Sequence, residues 1–503
     1  MNFAESIKTN TNTKTTENGA LAYSTTGKIL VDPFAQIGAL RPRSEIEIAD
    51  KFAAAFSANP TLATKMMFYA GNIRGGLGER RTFRVCLRWL AINHPDIVKN
   101  NIANIPHFNR WDSLFSLVGT PVEEFMWDYI GCQLNSDLEV VLESKKTGKC
   151  RPISLLAKWM PTETASSKQT RNLAHRAMRG LAITPRNYRK MLTTLRKYLK
   201  VVEATMSAQE WDNIQYAAVP SYAMKNYRKA FGRHDPIGFG QYKTSLIKGE
   251  TKVNASTLYP YDLVGEIRKS RRFDYSAHKF VYDNDTIIEE QWKALPNYVS
   301  GENNILIMAD VSGSMECAGG RPMNTSIGLA TYFAQRNKGA YHNLYMTFTD
   351  KPHFIELRDG ATLADCVERV LGTDVGYNTD LEAAFNHILS HAIVHRVPAN
   401  ELPKALVIVS DMEIDRYARC EGFDFVDEMK KKFARNGYTL PTIVCWNVEA
   451  RNDTFLSKSD DVLMVSGQSP SVFRELCGRL DGKTSWDIMV ETLSNPMYDC
   501  VAV

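Results

Sequence analysis

Asp310, Ser312 and Ser314 stand at alternate positions in the run Asn304-Ile-Leu-Ile-Met-Ala-Asp-Val-Ser-Gly-Ser-Met315. An apolar stretch thus delivers a carboxylate and two hydroxyls onto a turn that Gly313 allows to be sharp. A buried parallel strand would present such hard oxygen donors at its carboxyl end, where a divalent cation binds. Two further segments extend the set. Thr379 in Gly376-Tyr-Asn-Thr-Asp380 precedes a helical stretch, and Asp411 follows the apolar run Leu406-Val-Ile-Val-Ser410. Three hydroxyls and two carboxylates make an oxygen-only site of low charge. That set favours Mg2+, with Mn2+ or Ca2+ as alternatives, and leaves coordination positions for a partner's carboxylate. The plainer reading of Ser312, Ser314 and Thr379 is that they are turn and helix-cap residues.

Such ligands need a sheet to hold them. From residue 303 onward, apolar runs at 305–309, 341–349, 353–357, 405–410, 439–446 and 461–465 predict six strands. Helical periodicity lies between them at 324–335, 379–392, 423–436 and 471–480. Strands alternating with helices predict a doubly wound, mostly parallel sheet covered on both faces. Residues 301–503 therefore resemble the von Willebrand factor A domain. Asp310, Ser312, Ser314, Thr379 and Asp411 match the five positions of that family's metal-ion-dependent adhesion site. The resemblance implies a Rossmann-like fold and a metal that docks an acidic protein ligand without hydrolysing it.

The upstream chain reads as helices, at 44–56, 62–69, 81–93 and 184–206. The last is the clearest: Thr184 is placed to cap it, Pro185 sits at its first position, and Tyr188, Met191, Leu192, Leu195, Leu199, Val202 and Met206 form an apolar stripe. The expected organisation is a flexible arm (1–20), a basic α-helical repeat domain (21–233), a connecting region (234–300) and the α/β domain (301–503). The fold class is then α plus α/β.

The net charge of this 503-residue chain is only +5, but residues 151–250 carry 18 Lys and Arg against six Asp and Glu. An anionic partner, RNA first, fits that excess. Candidate phosphate contacts are Arg74, Arg80 and Arg81 around a Gly-rich loop, then Lys158, Lys168, Arg171, Arg176, Arg179, Arg186, Arg189, Arg196, Lys197 and Lys200. A third basic run holds Lys225, Arg228, Lys229 and Arg233. Trp159, Tyr188 and Tyr198 are either stacking faces for bases or core residues. The Gly-rich loop is either a phosphate clamp or a helix connection with solvated arginines; without a Gly-Lys-Ser/Thr sequence it is no Walker loop.

The Gly75-Gly-Leu-Gly-Glu-Arg80 loop, Leu156-Ala-Lys-Trp-Met-Pro161 and Lys197-Tyr-Leu-Lys-Val-Val-Glu203 look like a family of intracellular proteins from bacteria, plants and large viruses. The domain order is also similar to the Ro autoantigen (TROVE) family. That likeness implies an RNA-binding protein holding non-coding RNA on a ring of helical repeats, located in the cytoplasm. The alternative is a metal-dependent protein scaffold without nucleic acid. Nine cysteines with no CxxC pair suit reduced thiols. No apolar run is long enough for a membrane span, and the polar N-terminus lacks an export signal core. His107, His175, His234 and His391 are scattered and lack a supporting catalytic motif, so no enzyme is expected.

Overall fold

The computed structural model describes residues 12–349, 351–373, 378–415, 425–477 and 482–503. The chain opens with a short antiparallel pair, β1 (Thr13–Thr15) and β2 (Leu21–Tyr23). Helices follow: α1 (Glu45–Ala58), α2 (Pro60–Gly71), α3 (Arg80–Asn93), α4 (Glu123–Thr147), α5 (Lys168–Gly180), α6 (Pro185–Tyr198), α7 (Ser221–His234), α8 (Pro236–Ile247) and α9 (Pro260–Lys269). The hairpin β3 (Arg272–Asp274) and β4 (Lys279–Val281) and then α10 (Thr286–Lys293) lead into the sheet half. That half is built from β5 (Ile305–Asp310), α11 (Cys317–Arg336), β6 (Leu344–Phe348), β7 (His353–Glu356), α12 (Leu363–Leu371), α13 (Leu381–Val394), β8 (Ala405–Ser410), α14 (Phe425–Arg435), β9 (Thr442–Asn447), β10 (Val462–Ser466) and α15 (Ser485–Leu493). No described helix is long and apolar enough to cross a membrane.

Local sequence explains the helix starts. Ser44 and Glu47 form a capping box on α1, while Asn59 caps α2 ahead of Pro60. Thr184 accepts from the Asn187 amide and Pro185 takes the first position of α6, as expected. The helix predicted over 184–206 stops at Tyr198, however. Lys200 takes a left-handed backbone (φ 48°), and a short separate helix, Val202–Ser207, follows. Val202 and Met206 then pack with Phe231, Phe239 and Ile287 in a small cluster of their own.

The six strands lie in the order β10-β9-β8-β5-β6-β7, all parallel except the antiparallel edge strand β7. A strand sends alternate residues to opposite faces. On β5, Ile305, Ile307 and Ala309 face one core; Leu306 and Met308 face the other, with Phe385 of α13 and Phe433 of α14. The first core is shared with the helical half: Phe52, Phe68 and Phe83 belong to the same continuous cluster as Ile307, Val407 and Trp446.

The expected arm and the expected end of the α/β domain need correction. Residues 12–20 are not a free arm: the Thr16 hydroxyl donates to Ile414 O (2.5 Å), Glu17 N to Glu413 Oε2 (2.7 Å) and Asn18 Nδ2 to Glu413 O (2.7 Å). Residues 234–300 connect the halves and also pack on the second, where α9 lies so close along α11 that a Cβ on Gly328 would be 3.0 Å from Pro260. Residues 496–502 return to the helical half. There Tyr498 stacks on Phe108 (5.4 Å), and Asn101 and Asn104 donate to Ala502 O and Cys500 O.

This packing yields a test. Gly328→Ala meets backbone atoms of Pro260 and Tyr261 and is expected to cost about 1–3 kcal/mol in urea denaturation. Gly240→Ala, where nothing lies within 4 Å, is expected to be neutral or to stabilise its helix by about 0.5–1 kcal/mol.

Candidate metal centre and basic surfaces

The chain leaves β5 toward β6 and β7 on one side and returns on the other side through β8, β9 and β10. The order reverses between β5 and β8, which opens a crevice at their carboxyl ends. Asp310 is the last residue of β5 and Ser410 the last of β8. Ala309 pairs with Val409, so the register sets Asp310 beside Ser410, whose hydroxyl donates to Asp310 Oδ2 (2.5 Å). The other oxygen, Oδ1, accepts the Ser312 amide (2.9 Å). The turn brings Ser312 Oγ and Ser314 Oγ within 3.1 Å of each other.

Asp310 and Asp411 are fully buried, and Ser312 and Thr379 nearly so. Burial, and then the like charge of Asp411, push the Asp310 carboxyl up to about 7. Asp411 accepts the Glu413 amide (3.1 Å) and pairs with Arg451 Nη2 (2.7 Å). Thr379 is tied to the end of the same loop: its amide donates to Asp415 Oδ2 (2.7 Å), and Asp415 N donates to Thr379 O (3.0 Å). Its hydroxyl is buried and has no hydrogen-bond partner among the described residues. An orphaned hydroxyl, two clustered hydroxyls and a carboxyl raised by burial and by a neighbouring carboxylate fit a hard cation. Gly376 and Tyr377, from the predicted Thr379 loop, lie outside the described residues.

Sequence reasoning missed the groups that hold these ligands. Ser410 and Asp415 flank Asp411 and could have been read as part of its loop. Arg451 could not, because it comes from beyond β9. It spans Asp411 and Glu17 (3.0 Å), while Asn452 also holds Glu17 (2.9 Å), so the N-terminal hairpin is fastened beside the centre.

The Gly-rich loop after α2 is a packing clasp. A Cβ on Gly76 would lie 2.1 Å from Tyr69 O, and one on Gly78 (φ 68°) 1.9 Å from Tyr259 Oη. Ser471 Oγ donates to Gly76 O (2.9 Å), and buried Glu79 pairs with Arg41 (2.6 Å). Arg74 donates to His107 O (2.9 Å), and Arg81 to Arg41 O (3.2 Å) and Arg43 O (2.7 Å). The close approaches that glycine permits here are to protein; Arg74 and Arg81 are held by carbonyls, and only the Arg80 side chain of the three has no hydrogen-bond partner among the described residues.

The remaining cations divide the same way. Arg176 pairs with Glu123, Arg189 with Glu163, and Lys158 with Glu203 (3.7 Å). Arg171 donates to Ala165 O and Ser166 O (both 2.7 Å). Arg196 donates to Ala157 O (2.8 Å) and Met160 O (2.7 Å). In the third basic run, Lys225 faces Asp262 (3.5 Å), while Arg228 holds Asp285 (2.7 Å) and Glu266 (3.0 Å). Tyr188 is core, with its hydroxyl on Pro161 O (2.7 Å). Tyr198 Oη serves Ser144 (3.0 Å) and Arg151 O (2.7 Å), and the Trp159 ring lies under Arg110 (4.0 Å). Lys168, Arg179, Arg186, Lys197 and Lys200 are exposed and form no ion pair among the described residues, as does Lys190.

Neighbours on α6 separate the two kinds of cation. Arg196→Ala is expected to lose about 2–3 kcal/mol in chemical denaturation through two charge-assisted bonds to carbonyls. Lys197→Ala is expected to stay within about 0.5 kcal/mol.

Residues 304–489 match a family model described as a domain of unknown function (DUF7788), and residues 16–110 and 174–303 match a second, DUF2828. Uncharacterized protein L728 of Acanthamoeba polyphaga mimivirus is 29% identical over 496 residues, covering 91% of this chain and 83% of that protein. Among solved structures, the RO (RSR) protein of Deinococcus radiodurans is similar over 90% of this chain and 95% of its own, at 13% identity and a TM-score of 0.34.

Proposed function

We propose that the chain is an RNA-binding protein of Ro type, with a von Willebrand A-like magnesium centre for docking a protein partner. The observation that carries the RNA reading is the set of exposed cations on and just beyond α5 and α6. Residues 151–200 hold 12 Lys and Arg against one Glu, and Lys168, Arg179, Arg186, Lys190, Lys197 and Lys200 remain exposed and unpaired among the described residues. Six exposed, unpaired cations attract a polyanion, and its affinity rests on counterion release. RNA binding is therefore expected to weaken steeply with salt. Charge reversal at Arg186, Lys190, Lys197 and Lys200 together is expected to lower affinity for a structured RNA about tenfold or more, measured by fluorescence anisotropy at two salt concentrations. Unchanged affinity in that variant would count against the face.

Asp310, Ser312, Ser314, Thr379 and Asp411 would hold the magnesium ion, which when bound offers an open position to a carboxylate. The chain's own part is to orient and desolvate these ligands. Ser410 holds one oxygen of Asp310 and the Ser312 amide the other, while Arg451 balances Asp411. Support comes from the strand-order reversal and from the unpartnered Thr379 hydroxyl. Thr379→Val removes no existing side-chain hydrogen bond, so thermal stability without metal is expected to hold. Magnesium affinity by calorimetry is expected to fall about tenfold, and Asp310→Ala to abolish it.

The same centre favours a second reading, a metal-dependent protein scaffold without nucleic acid. Chelation separates the two: it abolishes partner capture and spares RNA binding in the first, whereas RNA binding is absent throughout in the second. Neither reading includes a catalytic step.

A further inference from the structure

The hairpin of β3 and β4 carries a second concentration of rings and cations, away from α5 and α6. Arg271 and Arg272 enter it, and Phe273, Tyr275, His278, Lys279 and Phe280 fill it. Phe273 and Phe280 pair across the strands with ring centroids 5.2 Å apart, and Tyr275 lies 5.1 Å from Phe273. Exposed aromatic side chains are costly to leave in water, yet Tyr275 is 80% exposed, Phe280 45% and Phe273 39%.

The tip is held in place by its own chemistry. Asp274 Oδ1 accepts from Ser276 N (2.9 Å), Ser276 Oγ (2.6 Å) and Ala277 N (3.2 Å), fixing the turn that displays Tyr275. Lys279 pairs with Glu368 of α12 (2.6 Å), which anchors the hairpin across the mouth of a cleft of about 1740 Å³.

That cleft runs from the hairpin past α12 and β7 to Ser312 and Gly313. It is larger than the ~300–1,000 Å³ of ordinary small-molecule sites, so a segment of polymer suits it better than a metabolite. Its cations are unevenly engaged. Arg268 pairs with Glu316 and Lys279 with Glu368, whereas Arg271, Arg358 and Arg369 form no ion pair among the described residues. The Arg271 guanidinium lies 3.6 Å above the Phe280 ring, a stacked pair that leaves its edge nitrogens for an anion. Of the lining acids not already in an ion pair with Arg or Lys, Asp365 caps α12, Asp359 bonds Asn343 (2.7 Å) and Glu356 sits on the edge strand.

We infer that this hairpin and cleft bind single-stranded RNA, with bases on the Phe273, Tyr275 and Phe280 rings and phosphates on Arg271, Arg358 and Arg369. A single strand presents flat base faces and a phosphate at every residue, so it matches rings alternating with unpaired arginines. A duplex hides its base faces, and an acidic peptide has no use for three exposed rings. The inference rests on the RNA reading above but assigns the single strand to a surface separate from the α5–α6 face.

The test uses the full chain and three fluorescent probes: a 12-nucleotide oligouridylate, a 12-base-pair RNA duplex and an oligoglutamate peptide. The variant Tyr275→Ala/Phe280→Ala alters two exposed rings, and circular dichroism checks its fold; Arg271→Gln is a second, milder variant. Both are expected to weaken oligouridylate binding, the double variant about tenfold or more, with duplex affinity within twofold of the wild type. The α5–α6 charge-reversal variant is expected to weaken the duplex most. Unchanged oligouridylate affinity in both hairpin variants overturns the hairpin assignment and leaves the RNA reading standing. Loss of oligoglutamate binding alone reassigns the cleft to an acidic protein. Wild-type protein that binds neither RNA overturns the RNA reading itself.

Discussion

One face of the central sheet is covered by α11 and α15, and the helical half packs against those two helices to extend the same core. Ile305, Ile307 and Ala309 on β5, with Val407 and Trp446 beside them, point into a core completed by Phe52, Phe68 and Phe83. A parallel sheet exposed on that side would leave several strands of apolar surface in water. Each half therefore supplies the other's interior. The glycine-rich loop sits at this seam, where Gly76 and Gly78 meet Tyr69 and Tyr259 at distances no side chain allows, and where Arg41 neutralises the buried Glu79.

The candidate metal centre inherits its character from that burial. Both faces of the sheet are covered, and Asp310 at the end of β5 is fully buried and desolvated next to Asp411. Arg451 offsets part of that cost at Asp411, and the N-terminal hairpin approaches the same arginine through Glu17. The electrostatics of the crevice thus depend on residues from β5, β8, the loop after β9 and the chain's beginning.

Much of this was legible in the sequence. The strands were visible because residues buried on both faces form unbroken apolar runs; β8 matches its predicted bounds residue for residue, and β5 and β10 agree within one. The alternate spacing of Asp310, Ser312 and Ser314 sets the two serine hydroxyls 3.1 Å apart and the Ser312 amide on Asp310. Three things were not legible. Strand order is a property of non-local pairing, so the reversal between β5 and β8 has no local signature. The fate of each cation depends on a distant partner: Glu123 lies 53 residues from Arg176, and carbonyls, which every residue has, hold Arg171 and Arg196. The end of α6 at Tyr198 was hidden because Val202 and Met206 keep its apolar spacing while packing in another cluster.

The return of Tyr498 to the helical half has a consequence for how the protein is made. Asn101 exchanges hydrogen bonds with Ala502 across 401 residues of chain, and Tyr498 fills the space between Tyr69 and Phe108. At elongation rates of about 5–20 residues per second, those helices emerge roughly 20–80 s before the segment that completes them. During that interval the notch between Tyr69 and Phe108 lacks the ring that fills it. The contacts of Tyr498 and Ala502 with these helices can therefore form only after the whole sheet half has been synthesised.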